Sequence, residues 1–267
     1  MTAALRIDRD GPVARVTLAR PQVRNAFNAA LIGDLDAAFR ALAAEPAEQL
    51  RAVVLAGDGP VFSAGADIEW QRAALALSME ENEADAARLQ AMLHAIDECP
   101  APVIARVHGA VLGGGMALCA VADVVVSSAD ARFGFTETKL GILPAVISPF
   151  VLPRIGEGQA RALFLTGERF DAERAMRIGL VHALAADEAA LDARVDELIG
   201  ELLSAGPTAA RRAKALIRGW RGADAPRFAA GTVRVAAEQR VSAEGQEGLT
   251  AFLERRRAGW ALPRDEG

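Results

Sequence analysis

The chain has no tyrosine among its 267 residues, so no phenol is available as a general acid. Its three histidines, His94, His108 and His182, lie far apart and without the spacing of metal ligands, so each reads as a structural or solvated side chain. The two cysteines, Cys99 and Cys119, both sit in apolar stretches and are expected to be reduced, buried packing residues. CxxC, HxxxH, GxxxxGK[ST], GxGxxG and GxSxG are all missing, which removes the usual signatures of thiol redox, zinc, P-loop, dinucleotide and serine-hydrolase chemistry. Apolar runs are broken by Asp, Arg or Gly well before the ~18 residues of a membrane span. Met1 to Arg9 alternates charge with no apolar segment, so no secretory signal and a cytoplasmic location are expected. The net charge of −5 argues against nucleic acid or an anionic membrane as the main partner. Whatever chemistry the protein performs must come from carboxylates, backbone amides or cationic groups.

What remains is a composition of 52% hydrophobic and 24% charged residues, that of a globular protein with ample core. The length suits one large unit, or one domain with an appended piece. Val13 to Leu18, Ala52 to Ala56, Pro102 to Val107 and Val124 to Val126 read as short buried strands. Leu31, Leu35, Phe39 and Leu42 recur at helical spacing behind Asn28, an expected N-cap. This strand–helix alternation implies a sheet with helices packed on it. From about Leu165 the pattern turns helical: Ala172 to Ile178, Leu191 to Leu203, Thr208 to Gly219, Ala225 to Val241 and Gly245 to Ala258, with Gly206-Pro207 as a break. Such a section suggests an arm that packs on the core or on another subunit.

Two segments stand apart. Val61-Phe62-Ser63-Ala64-Gly65-Ala66-Asp67-Ile68 is a loop of small residues that opens a helix. His108-Gly109-Ala110-Val111-Leu112-Gly113-Gly114-Gly115-Met116 is a strand followed by three glycines opening another. Consecutive glycines cost backbone entropy, roughly 1 kcal/mol each within a helix, and make sense where an amide must approach something closely. At a helix N-terminus the amides are unpaired and the macrodipole favours negative charge. Glycine alone is equally consistent with two tight turns; the flanks decide.

With those flanks, the chain resembles the crotonase (enoyl-CoA hydratase/isomerase) superfamily over nearly its whole length. Arg24-Asn25-Ala26-Phe27-Asn28 looks like the family's N-A-L-N element, Phe62 to Ile68 its F-x-A-G-A-D-I loop, and Gly113 to Gly115 its glycine signature. Ala122-Asp123 and the strand after it, Phe133-Gly134-Phe135-Thr136-Glu137 (F-G-x-x-E) and Ala251-Phe252-Leu253-Glu254-Arg255-Arg256 complete six elements in the family's order. The resemblance implies an α/β fold, a crotonase-like (ClpP/crotonase) spiral of ββα units over 1–200, with a helical C-terminal trimerisation region over 201–267. It implies a homotrimer, or a hexamer built as a pair of trimers.

The same resemblance implies that Ala66 and Gly114 supply the two N–H groups that hold a thioester oxygen while negative charge gathers on it. One such donor is typically worth about 2.7–4 kcal/mol of barrier. Glu137 matches the family's acid/base; Phe133 and Phe135 beside it are expected to raise its pKa by desolvation. Hydratases of the superfamily commonly carry a second glutamate two residues past the third glycine, where this chain has Ala117. The missing acid leaves three readings: water addition by Glu137, a Cα-to-Cγ proton shuttle (an enoyl-CoA isomerase), and a catalytically silent acyl-CoA binder. The run Thr136 to Pro149 resembles the single-glutamate branch that includes 3-methylglutaconyl-CoA hydratases of leucine catabolism, which favours the first. By position, Arg24, Ala26, Ala64, Asp67, Ile68 and Gly113 match substrate-binding places, and Phe252 and Arg255 the C-terminal pair that approaches the CoA nucleotide. No metal or separate cofactor is implied; coenzyme A enters as part of the substrate.

Overall fold

A computed structural model describes residues 4–262. Its main sheet has six strands in the order β1 (Leu5–Asp10), β2 (Val13–Leu18), β3 (Ala52–Gly57), β4 (Val103–Val107), β6 (Val124–Ser128) and β9 (Ala183–Ala185). β1 and β2 form an antiparallel hairpin; every later pairing in this sheet is parallel. A second sheet orders β5 (Ala110–Leu112), β7 (Arg132–Gly134) and β8 (Arg169–Asp171), with β5 and β7 parallel.

The two sheets are visited in turn, which is the expected spiral. β4 in the large sheet is followed by β5 in the small one and then by helix α4 (Gly114–Val121). β6 is followed by β7 and then α5 (Ser148–Thr166). One turn earlier, β3 leads to Ser63, which bridges Val111 of the small sheet, and then to α2 (Ile68–Ala74) and α3 (Met79–Asp97).

Parallel strands covered on both faces read as continuous apolar runs, and β3 shows why. Val53 and Leu55 pack in the larger core with Leu31, Leu35 and Phe39 of α1 (Ala29–Ala43) and with Leu93 and Ile96 of α3. Ala52 and Val54 face the other way and join Leu191, Val195 and Ile199, one stripe of α7 (Glu188–Ser204). Asn28 caps α1 as expected, accepting the Leu31 N–H at 2.9 Å. Residue 200 lies inside α7, whose buried stripe packs on the sheet as far as Ile199.

The C-terminal arm comprises α8 (Pro207–Gly219), α9 (Ala225–Val241) and α10 (Ala243–Leu253). Only Pro207 and Lys214 of α8 are buried. The helix is held by cations instead. Arg211 donates to the carbonyls of Glu45, Pro46 and Leu50, Lys214 to Ala101 O and Asp123, and Arg218 to Glu98. Arg51 reaches back from the sheet to the carbonyls of Leu202, Ala205 and Trp260. α10 stops at Leu253, short of the expected Ala258, because Arg255 takes a left-handed conformation with φ 54°. The three arginines after it therefore lie beyond the helix, where Arg256 pairs with Glu247 and Glu254.

Candidate active site

The Ser63–Asp67 segment lies between two backbone partners. On one side Ser63 N–H donates to Ala110 O and Leu112 N–H donates to Ser63 O, tying the segment to β5. On the other, Phe27 N–H donates to Gly65 O at 2.7 Å and Asp67 N–H donates to Phe27 O at 2.8 Å. In such a bridge alternate residues point their amides to opposite sides, so the residue straddled by Phe27, Ala66, aims its N–H away from it. Among the described residues the Ala66 amide has no acceptor. Gly65 has φ +91°, and a Cβ there would come within 3.0 Å of Leu112 O, so glycine is required where the two loops touch.

β5 leads directly into the second loop. Gly113, at φ +47°, turns the chain, and Gly114 and Gly115 already belong to the first turn of α4. Helix-start amides have no intrahelical partner, and the Gly114 N–H has none among the described residues. Ala66 and Gly114 are each half-buried between buried neighbours, Gly65 and Asp67 on one loop and Gly113 and Gly115 on the other.

Glu137 reaches the same place through sheet pairing. Leu112 of β5 is in register with Gly134 of β7, and Gly113 N–H donates to Gly134 O at 3.1 Å, so Phe135, Thr136 and Glu137 follow beside the glycine loop. Glu137 Oε1 lies 3.4 Å from where a Cβ on Gly113 would stand. Its Oε2 is buried without a hydrogen-bond partner. Burial raises the Glu137 pKa above the ordinary carboxylate value, against a smaller opposing hydrogen bond from its own amide. The fully buried Phe133 and Phe135 rings flank it in sequence as expected. A carboxyl kept from water and left one partner short can both take and return a proton near neutrality. Ala117 is completely buried on α4 and carries no proton.

The remaining expectations divide. Arg24 is exposed in a left-handed conformation, and its guanidinium has no partner among the described residues; Ile68 is exposed at the start of α2. Both are open to a ligand. Ala64 spends its N–H on Arg24 O. Ala26 is buried, its N–H bonded to Val23 O and its carbonyl accepting from Arg20 at 2.5 Å. Gly113 uses its N–H on Gly134 and its carbonyl on the first turn of α4, so it shapes the loop.

Asp67 has a place in the scaffold. It is a buried scaffold residue that caps α2 by accepting the Glu69 N–H at 3.0 Å and pairs with Arg20 at 2.9 Å. Burial acts to raise its pKa, but Arg20 and the Glu69 amide outweigh that and hold it below the usual range. Each of its oxygens already accepts one bond from the protein, which gives it a scaffold role beside the Ala66 loop. Phe252, 79% exposed, and Arg255 sit at the end of α10, which packs chiefly on α8 and α9.

Three residues that sequence reasoning did not single out complete the scaffold. Arg20 bonds Ala26 O and Asp67; Ser63 Oγ donates to Asn25 O and accepts the Gly65 N–H; and Phe27 contacts both loops. Each lies in or beside a recognised motif, but only the folded contacts assign it a task. Among the described residues no group of three or more His, Cys, Asp or Glu side chains is placed to hold a metal.

Comparisons with known proteins give the family. The enoyl-CoA hydratase/isomerase family model matches residues 8–262. A putative enoyl-CoA hydratase of Thermus thermophilus is 35% identical over 249 residues, 92% of this chain and 96% of that protein. Among solved structures, Pseudomonas aeruginosa AtuE superposes with a TM-score of 0.93 at 40% identity, covering 97% of this chain and all of that one. An enoyl-CoA hydratase from Shewanella pealeana gives 0.91 at 35% identity over 96% of each chain. From its amide-presenting loops to its full-length match, this chain belongs to the enoyl-CoA hydratase/isomerase family and is an enzyme of the crotonase fold.

Proposed function

We propose that the protein hydrates a 2-enoyl-CoA, with the Ala66 and Gly114 amides holding the thioester oxygen and Glu137 as the acid/base. The observation that carries this is the orphaned, buried Glu137 carboxyl beside the glycine loop. In the reaction Glu137 takes a proton from water as the water oxygen bonds to Cβ, and the electrons of the double bond move onto the thioester oxygen. Glu137 then returns that proton to Cα as the electrons flow back. One carboxyl thus closes the proton balance, and the net addition is H and OH across Cα=Cβ. Two amides aimed at the developing charge, in a water-poor setting and without reorganisation, are the main source of acceleration.

A branched or carboxylated acyl group such as 3-methylglutaconyl, within leucine catabolism, is the substrate we favour, on the Thr136 to Pro149 resemblance. No resident metal or redox cofactor is required by the steps above, and coenzyme A arrives on the substrate. Ala117 supports a second reading: a lone carboxyl beside the enolate suits a Cα-to-Cγ shuttle, the Δ3,Δ2-isomerase reaction. A further proposal is assembly as a homotrimer or hexamer. α9 has no buried residue, and Val233, Val241, Phe252 and Leu253 are apolar and exposed on the arm, as assembly surfaces are.

The experiment supplies crotonyl-CoA, 3-methylglutaconyl-CoA and a 3-enoyl-CoA to wild type and Glu137→Gln. Hydration predicts loss of the conjugated absorbance from the 2-enoyl substrates in buffer, slowed about 10²–10⁴-fold in the variant. Gain of that absorbance from the 3-enoyl substrate alone establishes the isomerase. Tight acyl-CoA binding with no turnover in either protein establishes a silent binder.

A further inference from the structure

We propose that Phe27 is the positioning residue that sets the separation between the Ala66 and Gly114 amides. The inference rests on the reading of those amides as the donors to the thioester oxygen.

Phe27 touches both donor segments, by different means. Its main chain brackets Ala66: the N–H goes to Gly65 O at 2.7 Å and the carbonyl takes the Asp67 N–H at 2.8 Å. Its ring rests on Gly114. A Cβ added to Gly114 would stand 2.6 Å from Cδ2 and 2.8 Å from Cε2 of that ring, closer than any real contact. One residue therefore spans the two loops, its main chain on the Ala66 segment and its ring on Gly114, and Gly114 must be glycine because the ring is there.

The ring is itself held in place. Phe27 is 2% exposed in the larger core. Two residues before it, buried Asn25 donates to Asp58 O at 2.8 Å and to Val61 O at 2.9 Å, and accepts the Arg20 N–H. Immediately after it, Asn28 caps α1. A spacer anchored on both sides transmits its own size to the gap it spans. Two amides serve one oxygen only when both lie at hydrogen-bond distance from it, and a misplacement of about 1 Å at such a point costs on the order of 10²-fold in rate. The second tie between the loops is the Ser63–Val111 bridge, together with the 3.0 Å approach of Ser63 O to a Cβ on Gly115. That bridge ties the loops three residues behind each donor, and the close approach of Gly65 to Leu112 O joins them again; neither touches Gly114.

The test compares wild type with Phe27→Ala, Phe27→Leu, Gly114→Ala and the double variant Phe27→Ala/Gly114→Ala. Three quantities are read: kcat and KM on the best 2-enoyl-CoA, the red shift of a conjugated aryl-enoyl-CoA on binding, and Tm. The red shift reports how strongly the carbonyl is polarised, which a merely structural role would leave unchanged. We expect Phe27→Ala to lower kcat about 10–100-fold with KM within about threefold, and to shrink the red shift of the bound probe. Phe27→Leu falls between, and the double variant outperforms Gly114→Ala because the ring no longer meets the new methyl. If Phe27→Ala does not fold, Phe27→Leu carries the comparison. Unchanged kcat and red shift in the folded variant, with only Tm lowered, overturn the role of Phe27 and leave the spacing to the Ser63 bridge. A wild type that binds the probe without any red shift overturns the amide reading itself, and the inference with it.

Discussion

Glu137→Gln is expected to cost activity and to gain stability at the same time. The structural cause is a single atom: Oε2 is buried with no partner, and burial raises the pKa of the carboxyl. A buried polar group left unsatisfied costs about 1–3 kcal/mol, more when it is charged. The amide keeps the shape and removes the charge, so about 1 kcal/mol should be recovered, worth roughly 2–4 °C in Tm for a domain near this size. The sign of the pH dependence follows from the direction of the shift. With its folded pKa above the ordinary 4.5, Glu137 binds its proton more tightly in the native state. Its favourable contribution is present in full below 4.5 and is lost as pH rises through the folded value, so wild type carries the penalty at neutral pH. Paired urea titrations at pH 4 and pH 7.5 should therefore show the variant ahead at pH 7.5 and level at pH 4. The activity should fall about 10²–10⁴-fold in parallel. A variant less stable than wild type at pH 7.5, or within tenfold of its rate, refutes the assignment of a strained, desolvated acid/base.

Other outcomes follow from the scaffold. Asp67→Ala removes the α2 cap and leaves Arg20 unpaired; a loss of about 1–3 kcal/mol in urea unfolding is expected, with activity reduced through the Ala66 loop. Lys214→Met breaks the 2.6 Å pair with Asp123 that docks α8 on the sheet, and leaving that carboxylate uncompensated should cost about 2–4 kcal/mol; a loss under 0.5 kcal/mol would show the arm to be held elsewhere. His182 accepts the Val125 N–H through Nδ1, and partial burial and the neighbouring Arg154 lower its pKa. Its neutral form stabilises the fold above the ordinary value of 6.5, and that contribution is lost as pH falls below it. The drop in unfolding free energy between pH 7.5 and pH 5.5 should therefore be shallower in His182→Gln, whose side-chain oxygen can still accept the Val125 N–H.

Much of this was legible before folding. Long elements with a strong apolar period, such as α1 with Leu31, Leu35 and Phe39, declare themselves because burial of one stripe is a local property of the sequence. α9 has the expected bounds, Ala225 and Val241. The three-residue strands β5, β7, β8 and β9 carry too few side chains for any period. α3 was not read because its buried residues crowd into its C-terminal third, apart from Asp85. α5 is broken at Gly156, with φ 74° and Pro153 just before it, so no single helical period runs through it.

The site divides along the same line. The two small-residue loops, Glu137 and the absence of an acid at 117 are properties of the chain itself, because access for an amide and the presence of a proton carrier depend on residue type. Which oxygens are free is not such a property. Asp67 and Glu137 are both carboxylates in recognised motifs, yet the fold satisfies one with Arg20 and a helix cap and leaves an oxygen of the other buried and alone. The sequence determined which groups this protein can bring to a thioester. Only the tertiary structure decided which remain available there, because availability is set by what the rest of the chain has already bonded.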